Sequence, residues 1–428
     1  MQKDSKITFR MASGRDELAV MNVLGKAFHW KRNSERWENE RKSFLSSPGA
    51  WRLLFLDGRV AGTVHIRKSW LKVGRGKLLK GDVGGVAALP EYQGQGLGTL
   101  IMQDAMEWMK KERYDLSRLG GLVRFYSRFG YKRFPRRYVE FSVGQSARAG
   151  ASVVEEAEIP IPKDQLQKIR LYDPRKDFSS YARLHASFSQ PYNASWIVPD
   201  KGGKNKNPTG ERDPMRLVFE ENGKILAYLF AVELDQEYSE FEGRITIGDV
   251  GYDRRKPHAF EFLIKHINNL ALARGIKRIT ARMPFDPEII EILSSMPIRF
   301  QCIETHGGKS SNMLRIIHLQ SLFQRLIPEL RQRIGHLKDL KGDAVVEIQT
   351  ERDAVQLMLQ RGTLDVVDGR KPRIHLKIGE FCLLQMILGL LSVEETPSFP
   401  KIAKNDPNAG TILRALFPRK PVASTGWC

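Results

Sequence analysis

Cysteine is scarce and poorly spaced for chemistry. Cys302, Cys382 and Cys428 are the three in 428 residues, and without a CxxC pair they suggest neither a zinc site nor a disulfide framework; reduced thiols are expected. Long apolar runs are missing as well. The nearest, 381–391, falls well short of the ~20 apolar residues of a membrane span. The opening MQKDSKITFRMASGRDELAV scatters its charges and lacks the apolar core of a signal peptide, so a cytoplasmic protein is expected. Biased tracts are absent, and 41% hydrophobic with 28% charged residues fits a chain that folds throughout. Acid is the scarcer sign of charge, 49 Asp and Glu against 69 Lys and Arg, for a formal +20. Phosphate neutralisation needs Lys and Arg, but here they are spread along the chain without a basic helix or an aromatic-interleaved patch, so nucleic acid is not an expected partner. The same charge would help attract an anionic cofactor.

At ~150 residues per domain a chain of this length should hold about three. The first part reads as a strand ITFR, helices at 16–28 and 34–45, a hairpin of 51–56 and 60–66 turning at Asp57-Gly58, and a strand at 78–89. A glycine-rich loop, a helix at 97–111, a strand at 116–122, a helical turn through Tyr126 and a closing strand at 138–143 complete it. Small and polar residues at 144–162 mark a linker. The order then repeats: a helix at 178–188, a hairpin at 217–233 turning at Asn222-Gly223, strands at 244–252 and 277–282, and helices at 258–274 and 287–295. The charged, glycine-rich stretch 199–214 reads as a surface excursion within that repeat. From about Asn312 a third part follows, with a helix at 319–333, strands at 343–350, 363–368 and 373–378, and an apolar helix at 381–390. The fold class is α+β, with expected domains at 1–148, 160–310 and 311–428.

Chemistry concentrates in Val86-Ala-Ala-Leu-Pro-Glu-Tyr-Gln-Gly-Gln-Gly-Leu-Gly-Thr-Leu-Ile-Met102, a strand, a turn, a glycine loop and a helix start. Glycines 94, 96 and 98 let the backbone approach an anion, towards which the helix start directs unpaired N–H groups and positive dipole. The loop alone could be only a tight turn into a helix. A Walker loop would need GKS or GKT and a dinucleotide site GxGxxG; both are absent.

Gln93-x-x-Gly96-x-Gly98 does match the Gln/Arg-x-x-Gly-x-Gly/Ala signature, and the segment resembles the cofactor loop of GNAT acetyltransferases. Leu119-Gly-Gly-Leu-Val-Arg-Phe-Tyr-Ser-Arg-Phe-Gly-Tyr131 resembles their second block, and FYSRFGY is close to the form in the subgroup named for the enhanced intracellular survival (Eis) protein. The resemblance implies acetyl-CoA as co-substrate, no metal, and cofactor contacts from Val86, Ala87, Ala88, Gln93, Gly94, Gln95, Gly96, Leu97, Gly98, Gly121 and Leu122. It implies an oxyanion donor in the fourth-strand backbone near 86–88 and Tyr126 as the acid that protonates the leaving thiolate. A phenol near pKa ~10 and a thiol near ~8.5 make that transfer reasonable.

The subgroup likeness covers the whole chain more faintly: two tandem GNAT-like domains, then one similar to sterol carrier protein 2, here resting on RIHLKIGEFCLLQMILGLL. The second copy reads Asp253-Arg-Arg-Lys-Pro-His258 where the loop should be. Without a glycine it should not bind acetyl-CoA in the usual way, and it is read as a structural or pocket-forming copy. The ending ALFPRKPVASTGWC resembles the subgroup's, which implies that the terminal carboxylate, on Cys428, is the general base. The implied acceptor is a primary amine, either a small molecule (aminoglycoside-like or polyamine) or a protein lysine, with homo-oligomers expected. Trp30, Trp37 and Glu38 are candidates for the acceptor cleft. A non-enzymatic acetyl-CoA-binding regulator and a lipid carrier acting through the last domain are the alternatives.

Overall fold

The computed structural model describes residues 6–146, 155–156, 158–198, 215–233, 244–335, 337, 343–360, 363–405 and 407–423. The excursion at 199–214 and the chain end, including Trp427 and Cys428, lie outside these residues. No helix among them is long and apolar enough to cross a membrane.

The first sheet places β1 (Ile7–Met11), β2 (Trp51–Leu56), β3 (Arg59–Val73), β4 (Gly76–Ala88) and β5 (Leu116–Leu122) side by side in sequence order. Each pair is antiparallel except β4 with β5, which is parallel. The β2–β3 turn forms because Asp57 and Gly58 both take positive φ, 49° and 79°. α1 (Glu17–Phe28) and α2 (Glu35–Ser46) cover one face, where Val20, Leu24 and Phe44 pack on Trp51, Leu53 and Ala87. α3 (Leu97–Lys111) covers the other. Its buried Leu97, Ile101, Ala105 and Met109 recur every fourth residue, one helical stripe set against Val64, Ile66 and Val83.

Beyond β5 the strand order departs from the expected one. The next strand in the sheet is Ser310–Ile316, paired with β5 over seven residues, and after it β6 (Lys132–Arg133). The strand expected to close this sheet, 138–143, is β7 (Arg136–Ser142), and it lies instead in the second sheet between Arg278–Ala281 and Arg299–Thr305. Pro135 sits between β6 and β7 and has no N–H to extend the first ladder, so the chain leaves that sheet there. Val139 and Phe141 of β7 then fill the second core. The two sheets thus exchange strands, and residues 310–316, expected around the start of the third part, complete the first.

The second sheet runs Ile169–Leu171, Arg216–Glu221, Lys224–Glu233, Arg244–Tyr252, Arg278–Ala281, β7, Arg299–Thr305. Its helices Pro174–Phe188, His258–Ala273 and Pro287–Ser294 repeat the order of the first unit. The third sheet runs Thr363–Val367, Ala354–Gln360, Ala344–Gln349, Ile374–Lys377. Ala354–Gln360 is a strand beyond those expected, and its buried Val355, Leu357 and Leu359 alternate with a strand's period. Helix Leu319–Ile334 joins the third core to the far end of the β3–β4 hairpin, where Leu71, Val73 and Leu78 are fully buried in the same cluster.

Candidate functional site

β4 and β5 part company in mid-strand. Their parallel register runs from Lys80–Leu116 to Val83–Leu119 and stops, while β4 continues to Ala88 against β3 and β5 continues to Leu122 against Ser310–Ile316. The facing edges beyond Val83 and Leu119 therefore open into a groove, and among the described residues no strand pairs the backbone of residues 84–88 on that side. A bulge lies at the opening: Thr63 pairs with Ala87 and His65 with Gly84, so one residue of β3 faces Gly85 and Val86. Gly85 has φ +54°, and a Cβ there would come within 2.6 Å of the Trp51 ring. The Gly84-Gly85 pair inside a strand is the sequence signal for this bulge, which was not among the expected features.

The loop closes one end of the groove. Gly94 and Gly96 take φ +78° and +87°, and Gly96 caps α3 in a left-handed conformation that costs other residues strain. Among the described residues a Cβ at either position would meet nothing within 4 Å, which leaves room beside them. Among the described residues the N–H groups of Gly94, Gly96, Leu97 and Gly98 donate to no backbone carbonyl. That is the donor set a pyrophosphate needs at a helix start. Gln93 and Gln95 turn their side-chain amides back to the carbonyls of Ala88 (3.5 Å) and Glu91 (3.1 Å). Leu97 is buried and anchors the helix start. Gly98 lies against Phe125, 3.4 Å from where a Cβ would stand.

α4 (Val123–Tyr126) begins directly after β5 and brings Tyr126 to the other side. Its ring lies over Gly121, where a Cβ would approach within 2.5 Å, and packs edge-on against Phe125 at 4.9 Å and Tyr131 at 6.3 Å. Burial pushes the Tyr126 phenol up to about 12, so it stays protonated throughout the neutral range. Leu122 at the end of β5 is 60% exposed, an apolar lip on an open groove. Val86 to Ala88, the loop, Gly121, Leu122 and Tyr126 are thus neighbours around one opening. Cys428 is not among the described residues; Val422 and Ala423 lie beside Asn193.

The acceptor-cleft candidates have packing roles. Trp37 fills the space beside Gly25, where a Cβ would meet its ring at 2.4 Å, Trp30 stacks on Phe28 at 5.2 Å, and Glu38 pairs with Arg41 at 3.3 Å. Two residues on β3 outside the expected site border the bulge. The Thr63 hydroxyl donates to the Gly85 carbonyl at 2.9 Å, and His65 stacks on Trp51 at 4.6 Å. Burial and then the nearby Arg67 charge lower His65 to about 4, which keeps it neutral.

The second copy keeps part of this geometry. Its parallel register also lasts four residues, Arg244–Arg278 to Ile247–Ala281, and a bulge follows at Gly248. Its loop position is occupied by Arg254, which pairs with Glu288, Asp286 and the Tyr192 hydroxyl and ties the turn to helix Pro287–Ser294. A cavity of about 630 Å³ lies between the copies, bounded by Asp82 of β4 and by Asp249. Basic side chains outnumber the carboxylates in its lining, with Arg67, Lys68, Lys80, Arg216 and Arg282 beside Asp82 and Asp249; Asp82 pairs with Lys80 (2.8 Å) and accepts from Ser69 (2.8 Å), and Asp249 accepts from Tyr181 (2.9 Å) and Tyr228 (3.2 Å).

Comparison with known proteins agrees with this geometry. The family model described as an acetyltransferase (GNAT) domain matches residues 8–134. No curated protein matches the chain. Among solved structures, a probable N-acyltransferase of unknown function from Enterococcus faecalis V583 superposes with a TM-score of 0.66 at 15% identity, over 98% of this chain and 99% of that one. A GCN5-related N-acetyltransferase from Kribbella flavida gives 0.63 at 14%, over 97% and 96%. Eis1 from Mycobacterium abscessus gives 0.57 at 16%, over 98% and 99%. Identities this low speak to fold, and the fold is shared along nearly the full length of each. With the family match and the groove coinciding in the first unit, residues 8–134 form a GNAT acetyltransferase domain.

Proposed function

We propose that the protein transfers the acetyl group of acetyl-CoA to a primary amine, of a small molecule or of a lysine side chain, by direct attack in the β4–β5 groove. The observation that carries this reading is the end of β4–β5 pairing at Val83–Leu119, between a glycine loop with unused N–H groups and Tyr126. Acetyl-CoA would supply the activated thioester. The N–H groups of Gly94, Gly96, Leu97 and Gly98 would hold its pyrophosphate, and the freed backbone of residues 84–88 and 120–122 would pair with its pantetheine arm. The amine nitrogen bonds to the acyl carbon, the carbon–sulfur bond breaks, the sulfur takes the Tyr126 proton, and a base takes the proton lost by the amine. Because burial raises Tyr126 above its usual value, it is protonated at neutral pH and holds a proton ready for the departing sulfur; transfer to a thiolate near ~8.5 is uphill on its own and is drawn forward by cleavage of the carbon–sulfur bond. The second copy, with Arg254 across its loop position, would wall the acceptor side without binding acetyl-CoA.

The assay is thiol release from acetyl-CoA with a panel of amines. Turnover with one or more is expected; binding of acetyl-CoA without turnover on any amine would favour the regulator reading. Tyr126→Phe should keep the fold and acetyl-CoA affinity yet lower kcat by about 10², the scale of a lost general acid. A mutant running near the wild-type rate at neutral pH would assign the proton to water or to another residue.

For the base we propose the terminal carboxylate of Cys428. Supporting it, Pro421 and Ala423 are bonded to the Asn193 backbone at 2.9 and 2.8 Å, and Ala423 borders the cavity that reaches β4 at Asp82. A short extension after Cys428 should sharply lower kcat, and Cys428→Ala should have little effect because the carboxylate survives. An extended chain working at the original rate would return the role to a side chain of the first unit.

A further inference from the structure

We infer that Thr63 is a positioning residue that aims the Val86 amide at the acyl carbonyl oxygen, an inference resting on the acetyl-transfer reading above. At the β4 bulge neither Gly85 nor Val86 has a register partner on β3, and beyond Val83 no strand among the described residues pairs β4 on the β5 side. A peptide unit left out of both ladders is free to turn about its flanking bonds. Two features prevent that here. Gly85 is held at φ +54° with the Trp51 ring in the space a Cβ would take. The Thr63 hydroxyl, on a fully buried side chain, donates to the Gly85 carbonyl at 2.9 Å.

The second feature sets direction. The Gly85 carbonyl and the Val86 N–H belong to one planar trans peptide, and the two bonds point opposite ways. Thr63 sits on β3, so it draws the carbonyl to the β3 side, and the N–H must then face the β5 side, where the groove lies. A donor fixed in that direction before the acyl group arrives is what oxyanion stabilisation requires, since it needs no reorganisation as charge develops. Were the peptide to turn over, its carbonyl would face the groove and repel the acyl oxygen. The side chain acts through the Val86 amide and need not touch the acyl group.

The test compares Thr63→Val, which keeps the shape and loses the hydroxyl, with Thr63→Ser, which keeps the hydroxyl. Removing an oxyanion donor outright costs about 10²–10³ in kcat, so its misalignment should cost about 10- to 10²-fold. We expect that loss in Thr63→Val with the KM for acetyl-CoA nearly unchanged, and most of the rate restored in Thr63→Ser. The second readout needs no amine. The infrared stretch of carbonyl-labelled acetyl-CoA bound to the wild type should lie below its frequency in water, and Thr63→Val should move it back. If Thr63→Val does not fold, Thr63→Ala against Thr63→Ser makes the same comparison. An unchanged kcat or an unchanged stretch in the hydroxyl-free variant would overturn the role of Thr63 while leaving the transferase reading intact. A wild type that binds acetyl-CoA and turns over no amine would sink the transferase reading, and a Thr63-dependent stretch would then still support the aimed amide.

Discussion

Gly96→Asp is expected to abolish acetyl-CoA binding, with calorimetry showing no heat where the wild type saturates. The cause is not a clash with the described residues, none of which lies within 4 Å of a Cβ at this position. Two other effects combine. The φ of +87° costs a non-glycine residue roughly 1–2 kcal/mol. The carboxylate would also stand beside the unpaired N–H groups at the start of α3, where it competes for them and repels a pyrophosphate. Like charges at ~4 Å near a protein surface cost about 4 kcal/mol, or roughly 10³ in Kd. Gly96→Ala separates the terms, because it should lower the melting temperature by a similar amount while weakening binding far less. Gly98→Ala should be milder still, as its Cβ reaches only ordinary contact distance from Phe125. Unchanged affinity in Gly96→Asp would remove the loop from the cofactor site.

The second large effect concerns the first unit in isolation. A fragment ending at residue 148 is expected to lack a cooperative melt and to aggregate, although it contains every residue proposed here for cofactor binding. It loses Ser310–Ile316, the strand that pairs β5 along its whole length, and so exposes a seven-residue edge. It also uncovers Leu71, Val73, Leu78, Leu116 and Phe134, all fully buried in a cluster shared with Leu319, Leu322, Phe323 and Leu326. At ~1.5–3 kcal/mol for each such side chain, the loss approaches the ~5–15 kcal/mol that holds a domain together. A fragment extended through residue 335 restores both the strand and the helix and should recover a melt. If the shorter fragment unfolded cooperatively near the full-length temperature, the exchanged strand would be dispensable.

What the sequence by itself determined is local in nature. A strand, a glycine loop and a helix start within residues 86–102 specify one another through neighbouring torsions and backbone donors, and the observed β4 end at Ala88 and α3 start at Leu97 follow that reading. The Asp57-Gly58 and Asn222-Gly223 turns were legible for the same reason, since positive φ is a property of the residues in the turn. The tertiary structure decided what depends on partners far along the chain. Residues 310–316 and 136–142 have strand patterns that would satisfy either sheet, and their exchange was settled only when Met313 met the first core and Val139 with Phe141 met the second. The Thr63 bond to the Gly85 carbonyl spans 22 residues, and the Arg254 pairs that occupy the second copy's loop position span more than 30. No periodicity or spacing records such contacts, because they form from the packing of completed elements and not from the torsional preferences of adjacent residues.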